Sequence, residues 1–292
     1  MSSIRTVGVV GGGQMGGGIA QVAAVSGLSV VLVDSSAAQL ERAKGDHAKR
    51  LAREVEKGKM DAAARDAALA RIAYTTDLEK VAGADIVIEA IVEDENVKAD
   101  LFGRLAKMLT GNQILASNTS SISITRIAAA AEKASPGSGA RVIGMHFFNP
   151  VPIMKLVEVI NGLQTSRETT ERVLALSAAM GKTAIPANDR PGFVSNRVLM
   201  PMINEAFYAW MEGVAEPQHV DEIMKLGCNF PMGPLNLADF IGLDTCVHIM
   251  DVLAEGLNND RYRACPLLKQ LVAAGRLGVK TGRGVFDYSK GK

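Results

Sequence analysis

His146 and Glu158 are the residues with the most direct chemical consequence. Each interrupts an apolar run, Gly144-Met145-His146-Phe147-Phe148-Asn149-Pro150 and Leu156-Val157-Glu158-Val159-Ile160. An imidazole among apolar neighbours is commonly a hydrogen-bonded core histidine. A carboxylate in a second apolar run shifts that balance, because a buried charge needs a partner. If the two runs pair antiparallel around Asn149–Pro152, the fold point falls near residue 152 and His146 stands opposite Glu158. A carboxylate there fixes the imidazole tautomer and stabilises the imidazolium formed when the ring accepts a proton.

A second constellation is Gly11-Gly12-Gly13-Gln14-Met15-Gly16, a GxGxxG. Alone it is weak evidence. Here it follows the strand-like run Thr6–Val10 and opens the helical stretch Gln14–Ser26, the context that makes it a dinucleotide fingerprint. Gly11 allows the tight turn, Gly13 lets backbone approach a pyrophosphate, and Gly16 lets the helix lie close to the strand. The helix amino terminus then offers N–H groups and a positive dipole end to phosphate. The next strand ends at Asp34, followed by Ser35 and Ser36 with no arginine beside it. A carboxylate there accepts from a ribose 2′-hydroxyl and repels a 2′-phosphate, so NAD is expected over NADP.

Two further segments are ambiguous by sequence. Ser117-Asn118-Thr119-Ser120-Ser121 follows a strand-like run, at the sheet edge where α/β proteins bind ligands, and also suits an amino-terminal cap for a helix over Ile122–Glu132. Pro191-Gly192-Phe193-Val194-Ser195-Asn196-Arg197 brings an amide onto the first turn of a helix, where a plain capping role is equally suited. Lys49, Arg53 and Lys57 recur every four residues along the helix after Asp34, either as a solvated face or as a polyanion contact.

The elements that must position these groups alternate in type. Strand-like runs at Thr6–Val10, Ser29–Asp34, Asp85–Ala90, Gln113–Ala116, Arg141–Phe147, Met154–Ile160 and Thr183–Pro186 are separated by helical stretches. This pattern predicts an α/β, Rossmann-type dinucleotide-binding domain with a mostly parallel sheet over residues 1–189. Past Asn188–Gly192 the period becomes 3.6, with Leu199, Met202, Ile203, Ala206, Phe207 and Trp210 on one face. An all-helical carboxyl-terminal domain over 190–292 is expected, its first helix kinked at Pro201.

Composition bounds the functions available. The 292 residues are 48% hydrophobic and 22% charged, within the globular range. A net charge of +1 and 4% aromatic residues argue against nucleic-acid partners and base stacking. No apolar run reaches the ~18 residues of a membrane span. Met1–Arg5 shows no leader pattern, which predicts a cytoplasmic chain. Cys228, Cys246 and Cys265 form no CxxC pair and no histidine lies at metal-ligand spacing, so they read as buried thiols and no metal is expected. Glycine is enriched, at 29 residues, six of them within 11–18.

On these residues the chain resembles the 3-hydroxyacyl-CoA dehydrogenase family, above all its single-chain bacterial 3-hydroxybutyryl-CoA members. The similarity includes GGGQMGGGIA at 11–20, VIEAIVE at 87–93, SNTSS at 117–121 and GMHFFNPVPIMKLVEVI at 144–160. It continues through PGFVSNRVLMPMINEA at 191–206, KLGCNFPMGPLNLADFIGLDT at 225–245 and LGVKTGRGVFDY at 277–288. Gly12 stands where the family often has Ala, a change expected to loosen the loop slightly, and Ser195 where Val is usual.

The resemblance implies NAD-dependent oxidation of a short-chain (S)-3-hydroxyacyl-CoA and the reverse reduction. His146 is then the general base and Glu158 its orienting partner, with Ser120 and Asn196 contacting the reacting oxygen or holding the histidine. Gly11, Gly13, Gln14, Met15, Gly16, Asp34, Glu93, Lys98 and Asn118 would line the NAD site. Asn149 and Lys57 would serve the substrate, Lys57 meeting the phosphates of coenzyme A. A homodimer through the helical domain is also implied. The rival readings are a dehydrogenase of a 3-hydroxy acid without coenzyme A, and a non-catalytic NAD-binding protein, which would have no need of the histidine–carboxylate pair.

Overall fold

A computed structural model describes residues 4–289, so the Met1–Arg5 segment considered above lies partly outside the described residues, at Met1–Ser3. The chain divides into two compact units, Met1–Asp189 and Arg190–Lys292. Among the described residues no helix is long and apolar enough to cross a membrane.

The first unit is built on an eight-stranded sheet. Its strands are β1 (Thr6–Val10), β2 (Ser29–Val33), β3 (Ile72–Thr75), β4 (Ile86–Glu89), β5 (Ile114–Ser117), β6 (Val142–Phe147), β7 (Leu156–Asn161) and β8 (Thr183–Asn188). Their order is β3-β2-β1-β4-β5-β6-β7-β8. Every pairing is parallel except β6 with β7. Helices α1 (Gln14–Val25), α2 (Ala37–Glu56), α3 (Ala62–Ala70), α4 (Glu95–Met108), α5 (Ile124–Ala134) and α6 (Arg167–Ala179) make the connections. The expected α/β architecture is present, with the strands in the expected order along the chain.

The sheet's central strands are apolar on both faces, as parallel strands covered by helices must be. Val7, Val9, Ile86, Ile88, Ile114 and Ile143 are fully buried in one core with Ile19 and Ala23 of α1. Each such side chain contributes ~1.5–3 kcal/mol by leaving water. Strand β3 is the element that sequence patterning does not announce. It has only four residues, Ile72-Ala73-Tyr74-Thr75, on the sheet edge, and only Ile72 is buried.

The second unit holds α7 (Ser195–Met211), α8 (Pro217–Cys228), α9 (Pro234–Ile241), α10 (Leu243–Leu257) and α11 (Pro266–Ala273). Helix α7 runs through Pro201 without interruption of its assignment. Met200, Ile203, Phe207, Leu235, Leu243, Leu253 and Leu268 form its core. Cys246 and Cys265 are buried, but Cys228, the last residue of α8, is exposed, against the expectation of three buried thiols.

Two carboxylates tie this unit together. Asp221 of α8 accepts from the Leu235 and Asn236 amides at 2.8 and 2.9 Å, capping α9 from outside because Gly233 has no side chain to do so. Asp239 accepts from the Val285 and Phe286 amides, both at 2.8 Å, and from the Tyr288 hydroxyl at 3.1 Å. Burial raises its carboxyl pKa, against the lowering effect of those donors. Truncation would strand two amides without an acceptor. Asp239→Ala is therefore expected to cost ~2–4 kcal/mol, read by urea denaturation of purified protein; a loss within experimental error would refute the role given to these bonds.

Candidate active site

The first turn after β1 is shaped by two close approaches. Gly11 has φ +110°, and a Cβ there would strike the Ala90 carbonyl. A Cβ on Gly16 would strike the Gly11 carbonyl, so helix and strand can meet only with glycine at that position. Gly13, by contrast, has no atom within 4 Å on its Cβ side, and it precedes α1 without any side-chain cap. The first N–H groups of α1 therefore have no capping side chain where backbone is most approachable. That arrangement fits a pyrophosphate.

Asp34 stands at the carboxyl end of β2 and reaches back to this turn. Its Oδ2 accepts from the Gly12 amide at 2.7 Å, and its Oδ1 from the Ser36 amide at 2.8 Å. Gln39 donates from Nε2 to the Gly12 carbonyl at 2.9 Å, so both sides of Gly12 are held. The looseness expected of glycine at position 12 is thus countered by two side chains. Gln39 is a site residue that sequence reasoning passes over, since a glutamine in the first turn of a charged helix carries no signal of its own.

His47 of α2 is the second unforeseen support. It is fully buried, with Nε2 2.7 Å from the Gly17 carbonyl and Nδ1 2.8 Å from the Tyr74 hydroxyl. A carbonyl can only accept, so the neutral ring carries its proton on Nε2 and accepts from Tyr74 on Nδ1. Helix α1, helix α2 and edge strand β3 are joined at this one ring. A cavity of about 250 Å³ opens between the turn and α2, lined among others by Gly13, Gln14, Gln39, His47 and Arg50.

At the carboxyl ends of β4 and β5 lies a chain of charges, buried at Glu89 and Lys98 and open to solvent at Glu93. Lys98 is 1% exposed and donates to Glu89 Oε1 at 2.5 Å and to Glu93 Oε2 at 3.2 Å. Glu89 also accepts from Ser117 Oγ at 2.6 Å and from the Ile91 amide at 2.8 Å. Glu93 gathers the loop after β5. Its Oε1 accepts from Thr119 Oγ1 at 2.6 Å, from the Ser120 and Ser121 amides at 2.9 and 3.1 Å, and from Ser121 Oγ at 2.9 Å. Burial alone would raise the Glu93 pKa, but Lys98 and those hydrogen bonds outweigh it and hold the carboxyl below its usual range. Glu93 and Lys98, expected along the NAD site, thus also fix the Ser120 loop. Glu89 is absent from the motif-based site, although a carboxylate inside the run Ile86-Val87-Ile88-Glu89-Ala90 is a visible signal of a buried partner.

The 117–121 segment does not cap the following helix. Helix α5 starts at Ile124, two residues later than expected, and its cap is Ser123, whose hydroxyl accepts from the Arg126 amide. Asn118 works on the other side of the loop: its Oδ1 accepts from the Phe147 amide at 3.0 Å, beside His146.

His146 and Glu158 are direct cross-strand partners in the antiparallel β6–β7 pair, as the sequence spacing predicts. Nδ1 lies 2.8 Å from Glu158 Oε2, with His146 7% and Glu158 4% exposed. The Phe148 ring packs against the imidazole at a centroid distance of 4.6 Å. A carboxylate can only accept here, so Nδ1 carries the proton and, in the neutral ring, the lone pair belongs to Nε2. Asn149 follows and accepts from Gln14 Nε2 at 3.0 Å, linking the strand end to the dinucleotide turn. Met15 follows Gln14 in the first turn of α1 and is half-buried.

Lys57 is the exposed carboxyl-terminal cap of α2, after the exposed Lys49 and Arg53. Asn196 is buried in the first turn of α7, in the helical unit.

The NAD-binding domain profile of 3-hydroxyacyl-CoA dehydrogenase matches residues 6–190, and the carboxyl-terminal domain profile of the same enzymes matches 192–288. The chain belongs to the 3-hydroxyacyl-CoA dehydrogenase family. A Deinococcus radiodurans protein named "Probable 3-hydroxybutyryl-CoA dehydrogenase" is 56% identical over 96% of this chain and 99% of its own length. The 3-hydroxybutyryl-CoA dehydrogenase of Bradyrhizobium diazoefficiens is 50% identical over 99% and 97%. Among solved structures, the (S)-3-hydroxybutyryl-CoA dehydrogenase of Ralstonia eutropha superposes with a TM-score of 0.94 at 51% identity, covering 99% of this chain and 100% of that one. The first unit is thus a 3-hydroxyacyl-CoA dehydrogenase NAD-binding domain, and NAD is its cofactor.

The His47 junction has a pH signature. Burial, aided by Arg50, lowers its pKa below the ordinary 6.5, against the opposing Gly17 bond and Asp46. The unfolded chain therefore binds this proton more readily than the folded one. The stability contributed by the neutral ring is complete above about pH 6.5 and declines as pH falls below it. Melting temperatures taken between pH 7.5 and 5.5 should fall more steeply for the native protein than for His47→Gln, whose amide can still donate to Gly17 but does not titrate; parallel curves would refute the coupling.

Proposed function

We propose that this chain oxidises a short-chain (S)-3-hydroxyacyl-CoA, such as 3-hydroxybutyryl-CoA, to the 3-ketoacyl-CoA and catalyses the reverse reduction, with His146 as general base. The observation that carries the assignment is the buried 2.8 Å contact from His146 Nδ1 to Glu158. It directs the basic lone pair to Nε2, where the ring can take the proton of the C3 hydroxyl. Glu158 then offsets the charge arriving on the imidazole, as a fixed carboxylate does for other catalytic histidines. Proton transfer to a positioned base is typically worth ~10²–10⁴ in rate.

Bound NAD supplies the two-electron acceptor for C3. The chain's part is to seat it: the Gly13 backbone and the first amides of α1 take the pyrophosphate, and Asp34 takes the ribose 2′-hydroxyl. Ser120, its amide held by Glu93, is proposed as a donor to the reacting oxygen. Asn196 and Asn149 are proposed as polar contacts for substrate on the strength of the family motifs that contain them. Lys57, with Lys49 and Arg53, is proposed to meet the phosphates of coenzyme A. The exposure of all three favours that role.

Homodimer formation through the helical unit belongs to the same reading. Val198, Ile223, Leu226 and Phe240 are all exposed there and supply apolar surface. A reducing, cytoplasmic setting is supported by three free cysteines.

His146→Gln should lower turnover by ~10²–10⁴ while NADH affinity by fluorescence titration stays near that of the native protein. Retained turnover would remove the base assignment. Lys57→Ala should raise KM for a 3-ketoacyl-CoA much more than for a truncated thioester lacking the nucleotide phosphates. Equal effects on both would remove the coenzyme A role, and a native rate indifferent to the nucleotide would favour a hydroxy acid without coenzyme A.

A further inference from the structure

Lys182 lies between α6 and β8, outside every motif considered above. It is 8% exposed. Its ammonium donates to two main-chain carbonyls, that of Met154 at 2.7 Å and that of Val151 at 2.5 Å. Among the described residues no carboxylate lies within ion-pair distance of it. Burial lowers its pKa accordingly. A buried ammonium without a counter-charge is costly, and here it is compensated only by carbonyl dipoles.

Both carbonyls belong to the connection from Phe148 to Lys155 that joins β6 to β7. This segment is mostly exposed, and Val151 is its one buried residue. Its own backbone provides little closure: the Ile153 and Met154 amides both donate to the Pro150 carbonyl. The Lys155 carbonyl is taken by the Thr183 amide, next to Lys182. Val151 also rests on the dinucleotide helix, where a Cβ on Gly18 would come within 2.8 Å of its own Cβ. The connection is therefore gripped from below by one ammonium and seated on α1 by one side chain. His146 lies two residues before it in β6 and Glu158 three residues after it in β7.

We infer that Lys182 is a positioning residue for the proton-transfer pair, holding the β6–β7 connection so that His146 and the dinucleotide helix keep a fixed relation. This rests on the reading of His146 as general base. An ammonium with three donors can serve two carbonyls at once, which an apolar side chain of that length cannot do.

The test compares Lys182→Met, which keeps the bulk and removes the donors, with Lys182→Arg, which restores donors and charge. Steady-state rates with NADH and 3-ketobutyryl-CoA, NADH affinity by fluorescence, and the pH profile of kcat are measured for each. Lys182→Met should lower kcat ~10–100-fold with little change in NADH affinity, and should displace the pH profile, since small misplacement of a catalytic group is felt mainly in the chemical step. Lys182→Arg should recover much of the loss. A kcat within twofold of native with an unmoved profile would overturn the inference, as would matched losses in kcat and NADH affinity without recovery by arginine. Should Lys182→Met fail to fold, Gly18→Ala pushes the same connection from its other side and must give the same kcat-specific loss; unchanged kcat there overturns the inference. Retained turnover in His146→Gln would overturn this inference together with the base reading, whereas an inert Lys182 beside a silent His146→Gln overturns this inference alone.

Discussion

The antiparallel pairing of β6 with β7 is the constraint on which the remainder of the site depends. It is the one reversal in an otherwise parallel sheet. A parallel neighbour for β6 would need a crossover helix and would bring its residues into register from far along the chain. A short reversal instead sets two residues of one hairpin face to face by simple arithmetic. His146 meets Glu158 because both lie six residues from the turning point at 152. The period of two along each strand turns both side chains to the same face. Their contact is then a property of register, and a slip of one residue would send one of them to the opposite side of the sheet.

The hairpin is held in that register by donors and acceptors drawn from several other segments. Asn118 from the β5 loop accepts from Phe147, Gln14 from the dinucleotide helix donates to Asn149, and Lys182 grips the connection. The Ser120 loop is gathered in the same way by Glu93, which is itself steadied by Lys98 and, through it, by Glu89. Removing one partner from the buried Lys98–Glu89 pair is expected to cost ~3–5 kcal/mol, because the survivor's charge stays buried without it. These groups therefore cannot relax independently. A sheet whose strands end together supplies the common edge, and buried charges at that edge convert loops into fixed structure.

What the sequence discloses and what it conceals follow from the range of the interactions. The GxGxxG turn, Asp34 and the His146–Glu158 pair depend on local spacing or on one hairpin, so patterning and arithmetic reach them. The units, too, are visible as a change of period from two to 3.6. Strand β3 escapes because its place is set by neighbours, its own four residues being too few to declare it. Ser123 rather than the 117–121 run caps α5 because those hydroxyls and amides are engaged by Glu93, whose reach across the sheet edge has no local signature. Gln39 and His47 are concealed for the same reason: each is an ordinary helix residue whose importance lies in a carbonyl of another element.

Asp34 illustrates how tightly recognition and structure are joined in this fold. The role proposed for it is to accept from a ribose 2′-hydroxyl and repel a 2′-phosphate, and one of its oxygens also holds the Gly12 amide in the glycine turn. Replacing it with an apolar residue would remove that repulsion and release the turn together. Affinity for either cofactor would then suffer before any preference could reverse. A change of preference in this chain thus requires a new acceptor for Gly12 as well as a cation for the phosphate. The carboxylate proposed to meet the ribose is also the acceptor that fixes Gly12.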